Sequence, residues 1–362
     1  MNFLRVAVVF VFTLQVNLGW SQESDRATKI FDRWDKNKDG RLTKDELPKA
    51  LQRNFEKVDR NQDGFISRQE DSAFRNAGRG PNRRSASLPA NVKVTRDLAY
   101  VANGHERQKL DIYFVPRADD EAKPAARPLI IWIHGGAWRA GSKDRCPATF
   151  LLENGFAVAS INYRLSQHAI FPAQIHDCKT AIAWLRNNAQ KFNLDARNFG
   201  VWGSSAGGHL ASLVGTSANV KELEPNGLPR NDSRVQAVCD WFGPTNILLM
   251  NKQAGAKGKM DHDAQNSPES LLIGGTLQEN PDKAKRVNPV QYISEDDPPF
   301  LIMHGDQDFL VPIQQSQLLH EALKKSGVES KFEVIRGKGH GGFDLENVRP
   351  KIISFFQRHL RQ

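Results

Sequence analysis

The chain has 362 residues, of which 39% are hydrophobic and 25% charged, with 27 glycines; this globular balance excludes wholesale disorder and collagen-like repeats. Its length exceeds the roughly 250 to 300 residues at which one core stops growing, so a large domain with a small companion is expected and a lone small binding module is excluded. The 50 Lys and Arg outnumber the 41 Asp and Glu to give a net charge of +9, but these charges are dispersed and no nucleic-acid-binding motif accompanies them, so no nucleic-acid partner is expected.

The N-terminal stretch, residues 1–22, opens with Arg5, runs through apolar residues 6–14 and ends on Gly19-Trp20-Ser21, with small residues at the −3 and −1 positions of a cleavage site. This pattern reads as a secretory signal peptide. The apolar run is too short to cross a bilayer as a helix, although residues 3–20 could anchor an uncleaved chain. A secreted or periplasmic protein with no stable membrane insertion after cleavage is expected.

Residues 23–77 form the next unit. In DKNKDGRLTKDE, Asp35, Asn37 and Asp39 offer oxygens at loop positions 1, 3 and 5, Gly40 permits the sharp turn, Arg41 contributes its backbone carbonyl and Glu46 closes the shell in bidentate fashion. Thr43 would act through a water. The same order returns 24 residues on in DRNQDGFISRQE, with Asp59, Asn61, Asp63, Gly64, the Phe65 carbonyl, Ser67 and Glu70. Leu42 and Ile66 share the apolar eighth position. The segment resembles an EF-hand pair, which implies bound Ca2+, and export into a compartment where calcium changes slowly points to a structural or docking role. Only twelve residues separate Glu46 from Asp59, so a single helix of about 18 Å is expected to serve both loops, which departs from the usual paired lobe.

Residues 78–92, rich in Arg, Asn, Gly, Ser and Pro, read as an exposed basic linker. From residue 93 to 362 the chain alternates in character. Short apolar β-branched runs at 129–133, 156–161, 199–202, 235–242, 300–303 and 332–335 predict strands, and 173–192 and 313–325 predict helices. The class is α/β, a mostly parallel sheet with helices on both faces, preceded by a small all-α module. Residues 98–101 and 110–114 would add antiparallel edge strands. The three cysteines, Cys146, Cys178 and Cys239, lack CxxC or metal-ligand spacing, which argues against zinc and redox chemistry and permits at most one intrachain disulfide.

The chemistry-bearing motifs lie at the strand ends. Gly203-Ser204-Ser205-Ala206-Gly207 stands between a strand and a helix, where its glycines allow the tight turn that lifts the Ser205 hydroxyl above the sheet. Upstream, His134-Gly135-Gly136-Ala137-Trp138 follows a strand; the N–H groups of Gly135 and Gly136, with that of Ala206, could face a developing oxyanion, and His134 would brace this loop. After residues 300–303 come Asp306 and Asp308, of which Asp308, just before Val311-Pro312, is the expected acid and Asp306 a turn former. His340, in a glycine-rich loop after the last strand, is the expected base.

The order Ser205, Asp308, His340 is that of α/β-hydrolases. The strings HGGAWRAGSKD, SINYRLS, VWGSSAGGHLA, HGDQDFLVP and GKGHGGF resemble the esterase/lipase branch related to hormone-sensitive lipase and to feruloyl and acetyl-xylan esterases. That resemblance implies a serine carboxylesterase without a catalytic cofactor; the polar character of residues 243–298 points to short or aromatic acyl esters and, together with export and the resemblance, to acetyl or feruloyl groups on polysaccharide. Ala137 replaces the third glycine of H-G-G-G, which leaves open which upstream N–H groups form the hole. The polar insertion at 243–298 lacks the apolar face of a lipid-binding lid. A serine peptidase or formamidase on the same fold, a calcium-regulated esterase and a noncatalytic calcium-dependent binding protein are the competing readings.

Overall fold

The computed structural model describes residues 31–59, 63–67, 70–71, 88, 91–116, 125–218, 220–227 and 232–361. The expected signal peptide, Asn61 and nearly all of the basic linker lie outside them. The chain divides into two compact units, residues 1–87 and 88–362.

In the first unit, β1 (Arg41–Leu42) and β2 (Ile66–Ser67) pair antiparallel, with Arg41 opposite Ser67 and Leu42 opposite Ile66. The usual pairing of two loops is therefore present in spite of the short spacing. The single connecting helix expected from the sequence is replaced by two one-turn helices, α1 (Lys49–Gln52) and α2 (Phe55–Val58). The break lies at Arg53-Asn54, where the Asn54 N–H turns back to the Leu51 carbonyl in an i→i−3 bond. Helices this short do not persist on their own. They are held by the burial of Leu47, Phe55 and Val58 with Phe31, Leu42 and Ile66.

The second unit is built on an eight-stranded sheet with the order β10-β9-β8-β7-β5-β6-β4-β3. These strands are β3 (Lys93–Ala99), β4 (Lys109–Phe114), β5 (Arg127–Ile133), β6 (Ala157–Ile161), β7 (Leu194–Ser204), β8 (Ala237–Trp241), β9 (Phe300–Gly305) and β10 (Ser330–Ile335). The strands from β6 to β10 in this order run parallel, and the two edge strands β4 and β3 are antiparallel. Every residue of β5, β6 and β8 is buried, as unbroken apolar runs require when both faces are covered.

Alternate side chains feed two cores. Ile131 and Ile133 pack on the side of α3 (Ala173–Asn187) and α4 (Ala206–Thr216), while Ile130 and Trp132 pack on the opposite side, the side of α9 (Leu345–Leu360). The insertion carries α5 (Met250–Ala254), α6 (Pro268–Ile273) and α7 (Pro281–Arg286), followed after β9 by α8 (Gln314–Lys325). Ile247, Met250, Leu272, Ile273, Leu277, Ala284 and Val287 of the insertion all enter the main core. The insertion is part of the packed body and leaves mostly polar side chains outside. Among the described residues, no helix is long and apolar enough to cross a membrane. All three thiols are free.

Asp240, at the end of β8, is buried and accepts from the Gly243 N–H (2.9 Å) and the Ser212 hydroxyl (3.0 Å). Burial pushes its carboxyl up to about 6 in spite of these bonds. A folded-state value raised above the ordinary 3.8 favours folding fully below that pH, and this contribution is lost as pH rises through about 6. Asp240→Asn removes the charge and keeps an acceptor, so its stability relative to wild type should grow between pH 4 and 6, by up to about 3 kcal/mol, and level off above. Denaturant melts across that range measure this; a constant difference at all pH values would contradict it.

Candidate active site

The parallel register of β5 and β7 sets Ile133 beside Gly203, so the loops that leave these two strands meet at one point on the sheet edge. Ser205 occupies the turn between β7 and α4 with φ 55° and ψ −124°, a strained conformation for a residue with a side chain. It is held by its N–H to the Trp241 carbonyl at 2.8 Å. A Cβ at Gly203 would collide with the Gly207 carbonyl, and one at Gly207 with the Ile133 and His134 carbonyls. The two glycines of the motif therefore serve close backbone approach.

Three sequence-predicted residues converge. The Ser205 hydroxyl lies 2.9 Å from His340 Nε2, and His340 Nδ1 lies 2.7 Å from Asp308 Oδ2. Asp308 Oδ1 accepts the N–H groups of Leu310 (2.9 Å) and Val311 (3.0 Å), and its Oδ2 is 3.2 Å from His304 Nε2. Burial works against its charge, but the hydrogen bonds from His304, His340 and the loop outweigh it and hold the carboxyl far below the usual carboxylate range. Asp306 instead accepts the Gly337 N–H at 2.6 Å and so shapes the loop that carries His340. The Phe242 ring packs 4.6 Å from that of His340.

The loop at 134–138 stands against the nucleophile: a Cβ on Gly135 would lie 3.2 Å from the Ser205 Cβ. Gly136 has φ +116°, and Ala137 and Trp138 both have φ 54°, so the loop holds three successive residues in the left-handed half of backbone space. Ala137 adopts there the conformation that the missing third glycine would have adopted freely.

This loop is braced from several sides. His134 Nδ1 pairs with the Gly135 carbonyl (2.8 Å) and its Nε2 with Arg107 Nη2 (3.1 Å), while its ring stacks on Tyr163 at 4.4 Å. Arg107 can only donate, so His134 carries its proton on Nδ1; burial lowers its pKa to about 4. Arg107 also donates to the carbonyls of Tyr163 (2.8 Å) and Gly141 (3.0 Å). Trp138 Nε1 donates to His209 Nδ1 at 3.2 Å, and His209 Nε2 donates to the Val287 carbonyl at 2.6 Å. Burial lowers His209 to about 4 as well, so both braces are neutral. Arg107, Tyr163, His209, His304 and Phe242 were not expected at the site. Tyr163, His209 and His304 lie inside recognised strings, but nothing local marks Arg107 or Phe242.

In the N-terminal unit the two loops share one set of hydrogen bonds. The Asp35 carboxylate accepts the N–H groups of Asp39 (3.2 Å) and Gly40 (2.9 Å), and Asp59 accepts those of Asp63 (3.2 Å) and Gly64 (3.0 Å). Glu46 accepts from the Thr43 N–H and hydroxyl at 2.8 and 3.0 Å, and Glu70 from those of Ser67 at 3.0 and 2.8 Å. Glu46 also accepts from the Lys36 N–H (3.1 Å), and these bonds, led by that of Thr43, lower its pKa. Arg41 and Phe65 occupy matching places at the ribbon, the Arg41 guanidinium 5.6 Å from the Phe65 ring centre. Among the described residues, no three Asp, Glu, His or Cys side chains converge closely enough to hold a metal. Asp35 and Asp59, whose carboxylates accept N–H groups of their own loops, and Asn37, which donates to Asp39 at 2.9 Å, are nonetheless the oxygen-bearing side chains that a hard cation takes.

A nucleophile elbow on a mostly parallel sheet, with a histidine bridging serine and aspartate, defines the α/β-hydrolase class. The profile of the BD-FAE family matches residues 110–323, a stretch that holds Ser205 and Asp308, and the chain belongs to that family. EF-hand profiles match residues 26–54 and 51–70. Esterase LipQ of Mycobacterium tuberculosis is 32% identical over 76% of this chain and 62% of its own length. The chain spans about three fifths of the length of the curated relatives it matches. A solved truncated carbohydrate esterase from gut microbiota is 33% identical with a TM-score of 0.67, over 75% of this chain and 97% of that one. A bifunctional GH43-CE protein of Bacteroides eggerthii is 39% identical with a TM-score of 0.65, over 74% of this chain and 38% of that one.

Arg107 ties three separate backbone and ring acceptors behind the 134–138 loop. Arg107→Lys keeps the charge and loses the planar fork, so p-nitrophenyl acetate turnover should show kcat reduced about tenfold with KM little changed. Unchanged kcat in a folded variant would show that the loop does not need this brace.

Proposed function

We propose that the protein is a carboxylic ester hydrolase of short or aromatic acyl esters, with acetyl or feruloyl groups on polysaccharide as its natural substrates. The observation that carries this reading is His340, which bridges Ser205 and Asp308 at 2.9 and 2.7 Å beside a braced backbone loop. His340 Nε2 takes the Ser205 proton as Oγ attacks the ester carbonyl, and the N–H groups of Gly135, Gly136 and Ala206 are the donors for the tetrahedral oxyanion. Asp308 keeps the imidazole in the Nδ1–H tautomer and stabilises its charged form. The same imidazolium then returns the proton to the leaving alcohol, and water activated by His340 releases the acid. The polar, core-anchored insertion favours soluble and polymeric esters over lipid, and the names of the solved relatives favour a carbohydrate.

The N-terminal loops would hold Ca2+ through Asp35, Asn37, Asp39, the Arg41 carbonyl and Glu46, and through Asp59, Asn61, Asp63, the Phe65 carbonyl and Glu70. The ion supplies structural cross-linking of each loop; the ester chemistry proceeds without it. The pattern of residues 1–22 supports export to the periplasm or the medium.

Ser205→Ala should lower kcat on p-nitrophenyl acetate by about 10⁴-fold or more. Asp308→Asn should lower it by about 10³ to 10⁴-fold with KM nearly unchanged, because the imidazole loses its orienting charge. Acetate or ferulate release from acylated xylan tests the polymer: none, alongside fast turnover of simple esters, would remove it. Full activity of Ser205→Ala would overturn the mechanism.

Chelation should lower the melting temperature of the N-terminal unit and leave p-nitrophenyl acetate turnover unchanged. Calorimetry and turnover with and without a chelator measure both, and a large reversible change in turnover would make the module a regulator instead.

A further inference from the structure

His340 sits after β10 in a loop built largely of glycine. Gly341 and Gly342 have φ 97° and 68°, which glycine adopts without steric cost, and a Cβ at Gly337 or Gly342 would meet no atom within 4 Å. The Gly337 N–H bond to Asp306 and the Gln307 N–H bond to the Lys338 carbonyl (2.9 Å) fix the first half of this loop. They set the path of the backbone and leave the direction of the imidazole to what packs against it.

What packs against it is Phe242. Its ring centre lies 4.6 Å from that of His340, with the two planes at 58°, and 5.3 Å from that of Phe343, edge to face at 86°. A Cβ at Gly341 would meet Phe242 Cζ at 3.8 Å and no nearer atom. One ring therefore bears on residues 340, 341 and 343 in turn, and the loop wraps around it. Phe343 is itself buried, its ring 5.1 Å from that of Trp241.

The backbone beneath this ring is strained. Phe242 has φ 44°, an outlier for a bulky side chain, and its turn is held at each of three residues. The Trp241 carbonyl accepts the Ser205 N–H (2.8 Å), the Phe242 N–H donates to the Met303 carbonyl (2.9 Å), and the Gly243 N–H donates to the buried Asp240 carboxyl (2.9 Å). Strain of this kind persists only where neighbours over-determine it, and it gathers at functional sites. A glycine at 242 would make the turn freely; what it would forfeit is the ring. The same turn thus holds the nucleophile by its backbone and the base by its side chain.

We propose that Phe242 is a positioning residue for the general base: its ring fixes the plane of the His340 imidazole, so that Nε2 stays on the Ser205 hydroxyl while Nδ1 stays on Asp308. This rests on the esterase reading above. Phe242 is 6% exposed and acts through His340, whose two nitrogens meet Ser205 and Asp308 at 2.9 and 2.7 Å. A displacement of about 1 Å would stretch one contact or the other, and misplacement on this scale costs up to about 100-fold in rate.

The test is p-nitrophenyl acetate turnover by wild type, Ser205→Ala, Phe242→Leu, Phe242→Met and Phe242→Tyr, with melting temperatures and the proton NMR signal of the strongly deshielded Nδ1–H between His340 and Asp308. Phe242→Leu keeps an apolar side chain and loses the flat ring. Its kcat should fall about tenfold or more with KM little changed, and the Nδ1–H signal should broaden as the pair loosens and exchanges with water. Phe242→Met, whose flexible chain fills gaps, should show the same loss and takes the place of a leucine variant that fails to fold. Phe242→Tyr keeps the ring and should recover most of kcat. Wild-type kcat with an unchanged signal in a folded Phe242→Leu or Phe242→Met, a loss carried by KM alone, or a Phe242→Tyr no faster than Phe242→Leu overturns the proposal and leaves the esterase reading standing. Absence of turnover in the wild type, or turnover that survives Ser205→Ala, overturns both.

Discussion

The register between β5 and β7 is the constraint on which the site depends. With Ile133 beside Gly203, one strand end delivers the 134–138 loop and the other delivers Ser205, and neither can shift by a residue without reversing which face its side chains bury. The close backbone approach at Gly203 and Gly207 follows from this register, as does the strained turn at Ser205. Strain of this kind persists only where the surroundings over-determine it. Here the surroundings are a wholly buried helix α4 and two fully buried strands.

The second theme is the amount of polar material placed behind the reactive groups. His134, His209 and His304 are buried, and each spends its ring nitrogens on the backbone or on another fixed side chain. Low pKa values keep His134 and His209 neutral, so they brace the oxyanion loop without placing a positive charge beside it. Positive charge is supplied by Arg107, which is tethered at the back of the loop. The arrangement separates holding from reacting: His340 is the histidine whose Nε2 meets the serine hydroxyl.

Much of this was legible in the sequence because its signals are local. The glycines around Ser205, the Gly-Gly after His134 and the glycine-rich surroundings of His340 mark sharp turns at strand ends, and the chain order of the three residues did the rest. The strand runs appeared within a few residues of where they were expected, with β7 extended backward to Leu194. What was missed depends on contacts distant in sequence. Arg107 reaches its partners across 27 to 56 residues, and no pattern near it announces the role. Helix α9 had a signal, since Val348, Ile352, Phe356 and Leu360 recur every four residues and are buried; Pro350 inside the helix disguises it. The two short helices of the N-terminal unit could not be read from spacing alone, because a turn at Arg53-Asn54 costs little and lets Leu47 and Phe55 reach one small core.

The free thiols add a property of a different kind. Cys178 belongs to the core on the α3 and α4 side of the sheet and Cys239 to the core on the other, and burial raises both thiols well above their ordinary range. No disulfide joins the three cysteines, so the hydrolase unit is held together by packing. In the native state both sulfurs are shielded and protonated, so a thiol reagent gains access only when a face of the sheet opens. The protein carries, in effect, one built-in clock for each face of its sheet, and the order in which the two react reads out which side of the fold yields first.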